Sequence, residues 1–569
     1  MRFYRIILPS VLLLAGIPSA FCVSSARGGV KIIEVKPSAG DATGRFAAAV
    51  ERASRENGAH VEIRLTAGAT YHISRAKSHS ALYHISNTTS ADENPDPVKH
   101  IGLLLKNLRN VTFNGMGATI VTHGEMTPWV VDSCENVTLK NFTVTAADPS
   151  VPEMTVTEVG DSSLTVSVHP FSHYRIDNDG KLFWMGEGWE FTGGIAQQYS
   201  PKTLTTWRTD EPLARAVSIE ETAPATLKLV YHCGERPDTE PGNVYQMRHS
   251  FRTEVAGFVN CSSDVRLDSL TLRFMGNFGI VAQNSRNLAY RSLTCAPDPD
   301  SGRTCCGFAD FLQISGCGGR ISVTDSYFAG AHDDPINVHG THMKVCDVAG
   351  NRLKVRFMHG QTFGFEAFSA GDSIELVNAD NLRAFASARL VGARMDGDYE
   401  MTLVADREFT PEEIAVCCDA VVENISWCPD VTIARNYFTL TPTRGILITT
   451  RGKSVIEDNT FFRIPMPAIL VADDARSWYE SGPVRNLTIR HNRFIGCAAP
   501  VISVSPEIHG ERPSEEMPVH SGISVVSNSF EDTRGVPHVF MRATSSSVVE
   551  GNVSAEPFAV WLENCQPIR

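Results

Sequence analysis

The sequence predicts an all-β protein: a right-handed parallel β-helix, or solenoid, carrying two inserted small antiparallel β-barrel domains. Three observations predict it. A short motif of polar, aliphatic, polar, aliphatic residues recurs along the chain, its successive copies step by about one solenoid coil, and two long intervals interrupt the series. Copies begin at Asn110, Asn136, Asp264, Asn287, Arg320, Asp430, Ser454, Asn486 and Gly522. Their starts step by 26 (110 to 136), 23 (264 to 287), 33 (287 to 320), 24 (430 to 454), 32 (454 to 486) and 36 (486 to 522). Steps near 24 match one coil, and longer ones a coil with an enlarged loop. Each unit alternates with period two, is rich in Val, Ile, Thr and Phe, and is bounded by Asn, Asp and Gly. Helical periodicity is nearly absent. A sandwich or propeller would tolerate the strands but leave the recurring step unexplained.

Taken in order, residues 1–26 read as a cleaved export signal: the basic start Met1-Arg2-Phe3-Tyr4-Arg5, an apolar run from Ile6 to Ile17, then small residues at Ser19 and Ala20. That run is too short to span a bilayer, and nothing later approaches the roughly 18 apolar residues a spanning helix requires. The expected location is periplasmic or secreted, with no membrane span. Lipid anchoring at Cys22 is disfavoured by the bulky Phe21 before it. Residues 27–150 hold an N-terminal cap and the first coils, with one helix candidate from Gly44 to Ala53 placed to cover the open end of the solenoid, which would otherwise expose an edge. The first inserted barrel is expected over 151–250, from strands such as Leu164 to Val168 and Leu227 to Tyr231. Coils resume over 251–340, a second inserted barrel occupies 341–420 around Leu353 to Phe357 and Tyr399 to Leu403, and 421–569 complete the solenoid.

The formal charge of −13 over 569 residues argues against nucleic acid or a polyanionic glycan as partner and favours a neutral substrate. Fourteen cysteines are too few for a disulfide-dense scaffold and none has zinc-ligand spacing, so most read as small core residues.

A second segment aligns in register. Matching the strand starts Ile280, Leu312, Ile336, Ile446 and Ile469 puts Phe278, Asp310, Asp334, Arg444 and Pro467 in one column, with Asn277, Ala309, Asp333, Thr443 and Met466 beside it. Asp310 and Asp334 are 24 residues apart, one coil, and therefore neighbours on adjoining rungs. A single aspartate here would read as a solvated turn residue. Three acids in two stacked columns, flanked by Arg444 and His332, read as a site. Carboxylates this close cannot all ionise easily, which supplies a proton donor beside a base. That is the equipment of glycoside hydrolysis. Period-two alternation alone would point Asp333 and Asp334 oppositely, so which of the two is the acid stays open.

Three stretches carry a family resemblance: His332 to Gly340 (HDDPINVHG), Thr443 to Arg451 (TRGILITTR) and Ala472 to Gly482 (ADDARSWYESG). In these the chain resembles the glycoside hydrolase family 110 α-galactosidases, exo-acting enzymes that remove terminal α-1,3-linked galactose, including that of the blood group B antigen. The resemblance covers nearly the whole mature chain. It implies an inverting α-galactosidase acting on terminal α-galactosyl glycans such as linear Galα1-3Gal; whether branched blood group B structures are accepted as well depends on the loops that shape the outer subsite and stays open. By motif position, Asp333 would be the general acid, while Asp310 and Asp334 hold and deprotonate the attacking water.

Substrate-binding candidates are Asn277, His332, Asn337, His339, Arg444, Arg451, Trp478 and Glu480. The histidines read as hydroxyl ligands or structure rather than metal ligands, and no metal or cofactor is expected. The indole of Trp478 suits a flat sugar face. A homodimer is left open. Two other readings compete: a polygalacturonase-like hydrolase or lyase of acidic polysaccharide, which would want more basic residues near Asp333, and a non-catalytic β-helix glycan-binding protein.

Overall fold

The computed structural model describes residues 29–567 apart from 57, 89, 91, 93 and 510–517. The expected export signal, residues 1–26, lies outside the described residues. No described helix is long and apolar enough to cross a membrane.

The chain winds as a parallel β-helix with three strand positions per coil, in the right-handed sense that parallel crossovers adopt almost without exception. The first position holds the recurring motif. Val111 pairs with Val137, Val137 with Val265, Val265 with Leu288, Leu288 with Ile321, and Ile321 with Val431, all in parallel. One rung corrects the alignment read from sequence by a residue. Ser454, not Val455, stacks on Val431 and then on Leu487. Ser454 and Ile456 are both buried, so a small polar residue fills an inward slot that the aliphatic pattern assigned to Val455.

A tight turn leads to the second position, where aromatic residues stack rung on rung: Phe328 on Phe438, Phe438 on Phe461, Phe461 on Phe494, and Phe494 on Phe530, with centroids 5.2, 4.8, 5.0 and 4.9 Å apart. The turn itself is lined by an asparagine ladder. Asn459, Asn492, Asn528 and Asn552 each accept, through Oδ1, the backbone N–H of the asparagine one rung before. A buried backbone donor that the strand ladder cannot reach is thus satisfied at each coil.

The helix expected over 44–53 forms as Thr43–Ser54 and lays Phe46, Ala49 and Ala53 on the first coil, with Phe46 against Tyr71 and Phe113. It packs on the first strands of the solenoid.

The two interruptions differ from one another. The second is a closed six-stranded antiparallel barrel, formed by Met343–Ala349, Arg352–Arg356, Glu400–Ala405, Ala384–Met395, Ser373–Asn378 and Ala420–Asn424 in ring order. Its last strand extends slightly past residue 420. The first is a seven-stranded antiparallel sheet faced by the three-stranded sheet His173–Ile176, Leu182–Gly186, Trp189–Phe191, and one core unites them around Trp184, Leu227 and Tyr245. Ser218–Ala223, at one edge of the seven strands, is exposed nearly throughout, so it offers no apolar face for closing the ring. The thirteen described cysteines are unbridged and most are buried, as small core residues are.

Candidate active site

The third strand position of each coil carries the column of interest. Ile280 pairs with Leu312, Leu312 with Ile336, Ile336 with Ile446, and Ile446 with Ile469. The five rungs aligned from sequence are therefore consecutive. The second barrel leaves the solenoid after Ile336–Thr341 and returns without displacing the register, so Arg444 stands one rung from Asp334.

Asp310, Asp333 with Asp334, and Arg444 all lie in the bend just before a third-position strand. This resolves the apparent conflict over the adjacent acids. Residues 333 and 334 are in a turn, where strand alternation does not apply, and both side chains border one cleft of about 140 Å³. Its lining also includes Asp310, Asn337, Arg444, Trp478 and Glu480. Gly445 makes the bend on the arginine rung feasible: a Cβ there would stand 2.8 Å from both the Ala468 carbonyl oxygen and the Phe461 ring.

The three acids have distinct surroundings. Asp334, buried, accepts from Arg444 through Nε at 2.8 Å and Nη2 at 2.8 Å, and from the Arg444 backbone N–H at 3.1 Å. Such a charge-assisted fork fixes the plane of the carboxylate. Asp333 is partly exposed and meets Nη2 of Arg208 at 3.0 Å. Asp310 is buried, and its carboxyl is pushed well above the ordinary carboxylate range, first by burial and then by the charges of Asp333 and Asp334, with Arg252 opposing.

On the opposite wall, Glu480–Ser481 pairs antiparallel with the end of Ile336–Thr341, setting Glu480 3.4 Å from the Asn337 amide nitrogen. His339 stands behind, its Nε2 3.0 Å from the Gln313 amide and 3.5 Å from Glu480. Trp478 is exposed and stacks on His359 at 4.4 Å. Burial lowers the pKa of that histidine to about 4, helped by the charge of Arg252, so the ring under Trp478 is neutral at ordinary pH. The loop that presents Trp478 is organised by Asp474, whose carboxylate accepts the backbone N–H groups of Arg476, Ser477, Trp478 and Tyr479.

Three candidates named from sequence lie elsewhere. Asn277 accepts from the Thr253 backbone N–H and hydroxyl and donates to Glu125, beside a separate cavity of about 30 Å³. Its column position next to Phe278 put it among the acids, but its backbone turns with φ of 62° and its amide is spent on structure. Arg451 is bound to Glu375 and Glu423 of the second barrel and does not border the cleft. His332 is wholly buried and held neutral, with burial and then the Arg248, Arg208 and Arg303 charges driving its pKa well below the usual value.

Conversely, the cleft includes Asn87, Arg252, Asp474 and Glu507, which the repeat did not single out. Asp474 sits inside the third resemblance motif and could have been found there. Arg208 and Arg252 come from the first insertion and the segment following it, where no repeat register applies.

A cleft on a parallel β-helix, bordered by six carboxylates and two arginines and fronted by an exposed indole, brings together the groups that acid–base hydrolysis of a glycoside requires. Comparison with known proteins makes the assignment more specific. Residues 352–416 match the family model described as GLAA-B beta-barrel domain II. The chain is 45% identical over 520 residues to alpha-1,3-galactosidase A of Bacteroides thetaiotaomicron, covering 91% of this chain and 88% of that one. It is 36% identical over 472 residues to alpha-1,3-galactosidase A of Akkermansia muciniphila, covering 82% and 77%. Among solved structures, a polygalacturonase from Erwinia carotovora ssp. carotovora shares 9% identity at a TM-score of 0.41, over 96% of this chain and 98% of that one. The chain belongs to the α-1,3-galactosidase family, the group that its three motifs resemble.

Proposed function

We propose that this protein is an exo-acting, inverting α-galactosidase that hydrolyses terminal α-1,3-linked galactose from oligosaccharides and glycoconjugates, linear or branched as in the blood group B antigen. The observation that carries the reading is the convergence of Asp310, Asp333 and Asp334 on one cleft, in a chain whose relatives are named alpha-1,3-galactosidases. Asp333, the most exposed of the three, protonates the departing oxygen at the mouth. Asp310 and Asp334 hold the water from below, and Arg444 locks the Asp334 carboxylate in the plane that receives it. Glu480 and Asn337 accept and donate to hydroxyls of the galactose, and Trp478 packs against its flat apolar face. The acidic lining disfavours uronates, since both cleft arginines lie among carboxylates and Arg444 is already bound to Asp334. Residues 1–26 direct export, which gives the enzyme access to extracellular or periplasmic glycans.

Two measurements test this. Proton NMR of the anomeric signal during hydrolysis of linear and branched α-1,3-galactosides gives β-galactose first. Initial release of α-galactose overturns inversion. Separately, Asp310→Asn, Asp333→Asn and Asp334→Asn each reduce turnover by about 10² to 10⁴-fold. Full activity in both Asp333→Asn and Asp334→Asn would remove the assignment, and binding without release of galactose would make the protein a lectin-like module.

A further inference from the structure

The first inserted domain is docked on the catalytic coils through polar contacts that converge on the turn bearing Asp333. Gln197 Nε2 of the strand Ile195–Ser200 donates to the Ala331 carbonyl at 3.1 Å. Gln246 of the strand Val244–Arg248 donates to the Thr304 hydroxyl at 2.6 Å. Glu153, buried at the first strand of the insertion, accepts the Thr304 backbone N–H at 2.8 Å and the Cys305 backbone N–H at 3.2 Å, and meets Arg303 at 3.1 Å. The segments before Asp310 and before Asp333 are thus both pinned by this domain.

At the centre of these contacts, the strand Thr205–Thr209 delivers Arg208, whose Nη2 lies 3.0 Å from Oδ2 of Asp333. Its neighbour across the strand pair is Gln197, so both side chains leave the same face of the sheet toward the solenoid. The Asp333 backbone is held as well, its carbonyl accepting from the Thr441 hydroxyl at 2.9 Å.

We infer that Arg208 is a positioning residue for the hydrolysis proposed above: it holds one oxygen of Asp333 so that the other faces the departing glycosidic oxygen. The inference rests on the general-acid role of Asp333. A carboxyl group has two oxygens, and a guanidinium bound to one fixes the orientation of the other. The adjoining positive charge also stabilises the carboxylate that forms as the proton leaves, which strengthens the push on a poor leaving group. In this reading the first insertion completes the active centre.

The test compares two substrates of the full-length protein. A Galα1-3Gal disaccharide has a sugar alcohol as leaving group and needs protonation, whereas α-galactosyl fluoride has a leaving group that needs little. In Arg208→Gln, kcat/KM for the disaccharide falls by about 10²-fold, the loss on the fluoride is at least about tenfold smaller, and Arg208→Lys recovers part of the disaccharide activity. Equal losses on both substrates would mean that the substitution only damages the fold, and an unchanged disaccharide rate would mean that Arg208 has no part in catalysis; either result overturns the inference. If the unsubstituted protein cleaves neither substrate, the galactosidase reading fails first and takes the positioning role with it. If Asp333→Asn shows the selective loss and Arg208→Gln does not, the galactosidase reading survives and only the role of Arg208 is lost.

Discussion

At the scale of single residues, the site works by giving similar groups unlike surroundings. Asp310 and Asp334 stack one rung apart, yet burial and its neighbours' charges push one toward its protonated form while the other receives a bidentate arginine. His359 shows the same control on the binding side. Its pKa falls from an unfolded value of about 6.5 to about 4 on folding, chiefly through burial. A group depressed in this way contributes stability that is complete above its unfolded pKa and is lost as pH falls through the folded one. The thermal midpoint should therefore decline between about pH 6.5 and about pH 4, and His359→Phe, which keeps a ring under Trp478 but cannot titrate, should flatten that decline. Unfolding scans across the range check it, and an unchanged slope would place the sensitivity elsewhere, for instance at buried His520, whose pKa is lowered to about 3.

At the scale of elements, each coil is built from contacts that repeat at one position per rung. The asparagine ladder lies in the turn and the phenylalanine stack on the strand that follows it, so one satisfies the backbone that the turn leaves unpaired while the other supplies apolar burial. Phe461, wholly buried between Phe438 and Phe494, should cost about 3–5 kcal/mol on replacement by Ala. Chemical denaturation would show it as a lower midpoint, and a shift much smaller than this would mean that the rungs collapse to fill the gap. The loop around Asp474 uses a different device. One buried carboxylate accepts four consecutive backbone donors, which fixes the loop that carries the exposed Trp478 while His359 stacks on its ring.

At the scale of the whole molecule, the insertions are fastened to the solenoid by charges that neither part could bury alone. Arg451, on the coil after the second barrel, bridges Glu375 and the fully buried Glu423. Arg451→Met should leave Glu423 buried without its partner and cost about 3–5 kcal/mol, while adding Glu423→Gln should recover much of the loss. Denaturation of the single and double variants distinguishes this from a surface arginine, whose removal would barely register.

The sequence by itself determined the solenoid, its rung spacing and the adjacency of Asp310 and Asp334, because a coil of fixed length turns separation along the chain into distance in space. It also placed Asn337, Trp478 and Glu480 near the acids, through motifs local to the chain. What it could not determine was anything that depends on departures from the repeat. Ser454 occupies an aliphatic slot, a slip of one residue that a tolerant pattern does not detect. Asp333 and Asp334 face one cleft because they lie in a bend, which period-two reasoning cannot represent. The repeat and motifs point Asn277 and Arg451 toward the cleft, whereas tertiary partners, Glu125 and Glu423, claim their side chains. Only the tertiary structure brought Arg208 to Asp333 across 125 residues, since the docking of an inserted domain follows from surfaces that meet after both parts have folded.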